Sequence, residues 1–124
     1  MTYKVYAVRV FSSNWAESLE FYKNMIGFPL SFADENLEWA QFDVGSTYLG
    51  LERCDSQDPE CEELVGRFVG LSIEVRDIDS TYENLTAKGV KFTGPPEKQT
   101  WGGTLAHFID PDNNVITLLG GSDA

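Results

Sequence analysis

The same order of predicted elements occurs twice along this chain, and the repeat restricts the possible folds more than any other feature. In each half a β-prone run precedes a helix, and three further strand patterns follow the helix. The helix-capping residues Asn14 and Asp77 are 63 residues apart, and the helix-ending glycines Gly27 and Gly89 are 62 residues apart. A repeat of this size predicts two similar βαβββ modules packed into one α+β domain.

The predicted elements divide the chain into three consecutive parts. In the first module, residues 1–53, strands are predicted near 4–11, 28–32, 39–43 and 48–53, with a helix over 15–26. Residues 54–66 form an acidic linker or contain a short surface helix over 60–65. In the second module, residues 67–121, strands are predicted at 68–75 and 90–92, a helix runs from Asp77 to about Lys88, and a hairpin closes the chain.

The closing hairpin has the clearest turn signal. Pro111 presets φ for one turn position, and Asp112 and Asn113 tolerate the left-handed conformation. The apolar run from Val115 to Leu119 then completes the hairpin pattern. Positions counted from this turn relate the second module to the first.

The composition argues against two classes of binding partner, nucleic acids and membranes. The 124 residues carry a formal net charge of −11, which argues against nucleic acid because phosphate binding requires clustered Lys and Arg. No apolar run reaches the length of a membrane span, and the N-terminus shows no signal-peptide pattern. A cytoplasmic location is therefore expected, without membrane or nucleic-acid partners.

The two cysteines, Cys54 and Cys61, both lie in the acidic linker. A disulfide here would close only a small loop, and a metal site would lack a second pair of ligands nearby. Since intracellular thiols normally stay reduced, the sequence favours two free thiols.

Several motifs together resemble the vicinal oxygen chelate superfamily, which contains glyoxalases, extradiol dioxygenases and bleomycin-resistance proteins. The matching segments are 14–22 with 26–28 in the first module, and 75–79, 89–92, 101–103 and 110–114 in the second. The resemblance implies two curled mixed sheets around a concave cavity, helices on the convex side, and a homodimer. One departure is Asn113, where relatives usually carry Gly, and Asn also tolerates that backbone region.

The resemblance also implies where a metal would bind, because metal-dependent members fill four strand positions with His, Glu or Gln. The corresponding residues in this chain are Ala7, Gly50, Gly70 and Thr117. None of them is a usable ligand for Zn²⁺, Ni²⁺ or Fe²⁺. We therefore expect no metal and no other cofactor, with the two glycines leaving the cavity floor open.

Strand alternation, combined with the implied fold, selects the candidate ligand-binding residues. They are Arg9, Phe11, Tyr48, Glu52, Glu74, Trp101 and His107. Each has an alternative interpretation. The charged groups pair with one another or reach solvent, the aromatic rings belong to the core, and His107 lies on the outer or dimer-facing side of its strand.

Three functions are compatible with these features. The first is a metal-independent protein that binds or sequesters a small molecule, similar to the bleomycin-resistance group. The second is an enzyme such as a lyase, isomerase or hydrolase without the family metal, using Arg9 to polarise a carbonyl and Glu52, Glu74 or His107 to transfer protons. The third is a glyoxalase-like enzyme with displaced metal ligands. We rank them in this order, and the catalytic residues remain unassigned.

Overall fold

The computed structural model describes residues 2–55 and 57–121, which form an α+β fold with two mixed sheets. The elements of the first half are β1 (Ala7–Ser12), α1 (Trp15–Glu20), β2 (Leu30–Asp34), β3 (Trp39–Asp43) and β4 (Tyr48–Arg53). Those of the second half are β5 (Phe68–Glu74), α2 (Ile78–Ala87), β6 (Lys91–Phe92), β7 (Glu97–Lys98), β8 (Thr104–Ile109) and β9 (Val115–Gly120). The α+β fold predicted from the repeat is confirmed.

The two sheets share one strand order. In the first sheet the order is β1-β4-β3-β2, and in the second it is β5-β9-β8-β6. The first and last strands of each half pair in parallel, while the remaining pairs are antiparallel. The short strand β7, which pairs with β8, was not predicted. It follows Pro95 and Pro96, whose fixed φ keeps the chain extended as it reaches the edge of β8.

The first helix changes type along its length. Asn14 caps α1 by accepting a hydrogen bond from the backbone N–H of Glu17, but residues Phe21–Ile26 continue as a π-helix rather than as the predicted α-helix. The wider turn allows the consecutive residues Phe21 and Tyr22 both to face the core. Gly27 then ends the helix at φ 86°, as expected of a left-handed terminal residue.

A single apolar core contacts both sheets. Its members include Val10, Leu49 and Leu51 from the first sheet and Ile116 and Leu118 from the second. The alternating strand residues therefore form a second face on each sheet, directed away from the helices. These two helix-opposite faces contain the candidate site residues.

The closing hairpin joins the two halves through buried polar contacts. Asn113 has φ 68°, which confirms that it tolerates the left-handed turn position. The Asp110 carboxylate accepts hydrogen bonds from the Tyr22 hydroxyl at 2.7 Å and from the backbone N–H of Asn114 at 2.8 Å. The Asn114 side chain in turn donates to the Phe11 carbonyl at 2.9 Å.

A second carboxylate in the turn, that of Asp112, accepts hydrogen bonds from residues of the first half. The donors are the hydroxyl groups of Ser12, Ser13 and Ser18 and the backbone N–H of Ser13. These bonds fix the end of β1 and the first turn of α1 against the turn between β8 and β9. They therefore contribute to the relative placement of the two sheets.

The pKa values of this junction shift in different directions. Burial raises the pKa of Asp110, although its hydrogen bonds act in the opposite direction. Burial and the nearby Asp110 charge raise the pKa of Tyr22, so the Tyr22 hydroxyl remains a hydrogen-bond donor. Burial also acts to raise the pKa of Asp112, but the serine hydrogen bonds outweigh it, so the pKa is lowered.

The linker contains the clearest departure from the sequence-based expectation. Cys54 and Cys61 form a disulfide, so the prediction of two free thiols is wrong. Turns at residues 57–65 bring the two Cα atoms to 5.6 Å, a separation that suits the bond. The short loop between the two cysteines is thus compatible with a disulfide.

In the described ranges, 2–55 and 57–121, no helix has the length and apolar character needed to cross a membrane.

The lowered pKa of Asp112 predicts an acid-dependent loss of stability. Since the folded pKa lies below the ordinary value near 4, the charged carboxylate stabilises the fold above about pH 4, and this contribution disappears as the pH falls through the folded pKa. The Asp112→Asn variant should be about 1 kcal/mol less stable at neutral pH, a small value because the group is only partly buried. Its free energy of unfolding, measured in urea, should also change less than that of the wild type below about pH 4.

The matched control is Asp79→Asn, since Asp79 is exposed in the first turn of α2 and lies outside this network. Its acid dependence should follow that of the wild type. Equal slopes for the wild type and the Asp112 variant would contradict the role assigned to the serine hydrogen bonds.

Candidate functional site

The helix-opposite face of the first sheet combines charged and aromatic side chains. We call this the N-terminal face. Strand register places together Arg9, Phe11, Phe32, Trp39, Gln41, Tyr48 and Glu52, and Tyr6, which precedes β1, joins them through its hydrogen bond to Gln41. Arg9, Gly50, Gln41 and Phe32 lie in one row across the four strands. The row beside it contains Phe11, Glu52, Trp39 and Asp34.

Arg9 is already partnered on this face. Its Nη1 lies 3.0 Å from Glu52 Oε1, and its guanidinium carbon lies 5.2 Å from the centre of the Phe11 ring. The side chains of Arg9 and Glu52 are 56% and 36% exposed, so water still reaches the pair. Because Glu52 neutralises Arg9, this face does not present an isolated cation to an anionic ligand.

The Trp39 indole occupies the space beside Gly50 where a side chain would stand. A Cβ added at Gly50 would overlap the six-membered ring of Trp39, so only glycine permits this packing. Gln41 fixes the indole from the other side, because its Oε1 accepts hydrogen bonds of 3.1 Å from both Trp39 Nε1 and the Tyr6 hydroxyl. The expectation that Gly50 leaves an open floor is therefore wrong: its side-chain space holds an aromatic ring.

The helix-opposite face of the second sheet has a similar tryptophan. We call this the C-terminal face and define it by Phe68, Trp101, His107, Thr117 and Leu119. The benzene ring of Trp101 occupies the space where a side chain at Gly103 would stand, close to Leu119. Each helix-opposite face thus displays one indole seated on a glycine.

His107 is held on the C-terminal face by the opposite strand. Its Nδ1 lies 2.8 Å from Thr117 Oγ1, and the two residues pair directly across β8 and β9. The Phe68 ring meets the imidazole edge-on at a centroid distance of 5.9 Å. His107 therefore lies on the face that strand alternation assigned to the cavity. The sequence pattern of its own strand did not determine which face it would occupy.

A groove of about 540 Å³ runs beside His107. The connection from β6 to β8 forms its other wall, and its lining residues include Thr93, Pro95, Pro96, Glu97, Gln99 and Leu105. This volume suits a small organic molecule. The wall was not predicted, because a Pro-rich connection shows no strand or helix periodicity that would place it.

The structure divides the predicted site residues between the two faces. Arg9, Phe11 and Glu52 are in contact, and Tyr48 lies on the same face with its ring 5.3 Å from that of Tyr6. Trp101 and His107 belong to the C-terminal face. Glu74, at the end of β5, lines a separate surface depression with Arg76 and Gly121.

Seven residues of these faces were absent from the set of candidate ligand-binding residues. They are Tyr6, Phe32, Trp39, Gln41, Phe68, Thr117 and Leu119. Strand alternation extended to β3 would have found Gln41, because it pairs with Gly50 and lies two residues from Trp39. Phe68 has the same parity in β5 as Glu74, so alternation extended to the start of that strand would have found it.

The residues at the four family metal positions do not fit a metal. Ala7, Gly50 and Gly70 lack donor side chains, and the Thr117 hydroxyl is bonded to His107. Across the described chain, no group of three or more His, Cys, Asp or Glu side chains is arranged to hold a metal ion. No chemical step is therefore assigned to a metal at these positions.

Comparison with known proteins identifies the family. A family profile described as Glyoxalase/Bleomycin resistance protein/Dioxygenase superfamily matches residues 4–118. The chain belongs to this superfamily. Among its members, the uncharacterized protein YraH of Bacillus subtilis (strain 168) is 34% identical over 124 aligned positions, covering 93% of this chain and 96% of YraH.

Solved structures of superfamily proteins support the same assignment. A member from Sphaerobacter thermophilus DSM 20745 has a TM-score of 0.81 and 32% identity, covering 97% of this chain and 98% of that one. TnmS3, an antibiotic binding protein from Streptomyces sp. CB03234, has a TM-score of 0.76 and 29% identity, covering 98% of both chains. The resemblance inferred from the sequence motifs is thus confirmed at the level of family and fold.

The contact between Trp39 and Gly50 generates a test of the N-terminal face. Gly50→Ala should displace the indole and cost about 1–3 kcal/mol of unfolding free energy, because the added methyl group occupies filled space. The near-UV circular dichroism and tryptophan emission should also change.

Gly94→Ala is the matched control, since no atom lies within 4 Å of a Cβ added there. It should leave the unfolding free energy and both spectra close to those of the wild type. If Gly50→Ala behaves like this control, Trp39 does not rest on Gly50 in solution.

Proposed function

We propose that this superfamily member is a metal-independent binding protein for a small organic molecule, with ligand or antibiotic sequestration as its function. The observation that carries the proposal is the concentration of exposed aromatic rings on the helix-opposite faces. Tyr6 is 59% exposed, Phe32 51%, Phe68 62% and Trp101 61%. Grouped exposed aromatic side chains are typical of binding surfaces.

The physical reason lies in the hydrophobic effect. An aromatic side chain buries about 150–250 Å², and each Å² removed from water contributes roughly 25 cal/mol. Covering the exposed part of one such ring therefore contributes on the order of 2 kcal/mol. A flat apolar ligand placed on either indole would gain this contribution.

Charge favours neutral or cationic ligands. The chain carries a net charge of −11, and Glu52 neutralises Arg9 on the N-terminal face. TnmS3, described as an antibiotic binding protein, supports antibiotics as a ligand class for this fold. Metal independence is supported by the donor-free residues at three of the four family metal positions.

We also propose that the chain is one domain and acts as a homodimer. The apolar core contains residues of both halves, which supports a single cooperative unit. A second copy would cover the edges of β1 and β5, which are outer strands of the two sheets. Light scattering should then give twice the 13.9 kDa chain mass, and urea unfolding one transition.

An enzyme without the family metal is the second candidate function. The observation favouring it is His107, a possible acid–base group, held by Thr117 beside a groove. Turnover of a ligand that binds the protein would move this candidate ahead of sequestration.

Binding can be tested by titrating bleomycin-type glycopeptides and planar aromatic antibiotics into chelator-treated protein while following tryptophan fluorescence. We expect saturable binding that chelation does not weaken. Phe32→Ser should reduce the affinity about tenfold, which corresponds to ~1.4 kcal/mol for one uncovered ring contact. Leu37→Ser is the control, because Leu37 is 73% exposed but lies in the turn between β2 and β3.

Two results would contradict the proposal. One is the absence of any fluorescence response across the antibiotic series. The other is near-stoichiometric Zn, Ni, Fe or Mn in protein purified without chelator, together with loss of binding when that metal is removed.

A further inference from the structure

The imidazole of His107 is oriented by two neighbours on the C-terminal face. Thr117, which is only 3% exposed, holds Nδ1 at 2.8 Å, and the Phe68 ring packs against the imidazole from β5. Because Nδ1 points toward β9, the opposite edge of the ring lies toward the groove that His107 lines. That edge carries Nε2. The histidine thus presents one defined nitrogen to a ligand.

The tautomer of His107 depends on which partner donates in its hydrogen bond with Thr117. The Thr117 hydroxyl has one hydrogen to donate, and among the described residues the structure gives it His107 Nδ1 as its hydrogen-bond partner. When the hydroxyl donates this hydrogen, Nδ1 is the unprotonated acceptor and the neutral ring carries its proton on Nε2. In that tautomer the nitrogen on the groove side is a hydrogen-bond donor.

We propose that the groove beside His107 is the site for an uncharged ring compound that presents a carbonyl oxygen to Nε2–H, with Thr117 as the positioning residue. Pro95, Pro96 and Leu105 supply apolar wall for the ring, while Glu97 disfavours an anionic group. Thr117 stands where metal-dependent relatives place a carboxylate ligand, so an imidazole donor replaces the metal as the carbonyl-binding group. The inference rests on the proposed binding function and specifies its ligand chemistry.

The proton assignment can be tested without any ligand. His107 is the only histidine in the chain, so a long-range ¹H–¹⁵N spectrum at about pH 9 reports a single imidazole. We expect the wild type and Thr117→Ser to show the tautomer with the proton on Nε2. Thr117→Val, which keeps the shape but lacks the hydroxyl, should show a mixture of tautomers. A wild-type ring with its proton on Nδ1 would overturn the proposal.

Ligand recognition can be tested with two matched probes, coumarin and 2H-chromene, which differ by a carbonyl in place of a methylene group. Coumarin should shift the His107 Nε2 resonance and bind more tightly than chromene. Thr117→Val should weaken coumarin binding about 3- to 10-fold, the effect of one misdirected hydrogen bond, and Thr117→Ser should restore it. Chromene affinity should not change between these variants.

The outcomes separate this inference from the general binding function. Equal binding of the two probes, or no shift of the His107 resonances by coumarin, overturns the carbonyl site even if antibiotics still quench tryptophan fluorescence. The proposed function fails separately, when the antibiotic series produces no fluorescence response. If Thr117→Val does not fold, the wild-type tautomer and the comparison of the two probes still decide the question.

Discussion

The hydrogen-bonded turn between β8 and β9 is the constraint on which the arrangement of the two halves depends. Its carboxylates accept hydrogen bonds from the Tyr22 hydroxyl and from three serines of the first half, and the Asn114 side chain bonds the Phe11 carbonyl. Burying such groups without partners would cost several kcal/mol, so the two halves are strongly favoured in the arrangement that satisfies them. That arrangement turns the apolar faces of both sheets inward and leaves both helix-opposite faces for binding.

In both helix-opposite faces a tryptophan ring packs against a glycine. Trp39 lies on Gly50 and Trp101 lies on Gly103, so each indole is supported by backbone instead of by a side chain. Gly50, whose side-chain space is filled by the Trp39 ring, stands at one of the metal-ligand positions that the family resemblance implies. Thr117 stands at another, and its hydroxyl is bonded to the His107 imidazole. The chain therefore has the fold of the superfamily, while three of the four positions that the resemblance implies for a metal lack donor side chains, and function depends on the site and not on the fold.

Electrostatics further narrows what these faces can bind. Because Glu52 pairs with Arg9, the cation on the N-terminal face is neutralised locally, and the overall charge of −11 repels anions at longer range. On the other sheet, His107 is the proposed donor to a ligand oxygen. Aromatic stacking and a neutral hydrogen bond are thus the interactions on which the proposed recognition rests.

The sequence by itself determined the duplicated order of the elements along the chain, apart from β7 and the π-helical segment, because periodicities of 3.6 and 2 residues are local properties of the chain. Gly27, Asn113 and the helix caps were predictable for the same reason, since each satisfies a local backbone requirement. The family followed from the motifs, and the metal positions could be counted from the turn.

Only the tertiary structure decided which side chains meet. The indole over Gly50, the pairing of Arg9 with Glu52 and the contact of His107 with Thr117 depend on the register between strands that are far apart in sequence. The Cys54–Cys61 bond depends on how the linker turns, and the groove wall depends on a connection without periodicity. Local pattern could not supply these contacts, because they are set by the three-dimensional packing of segments that have no sequence signal for one another.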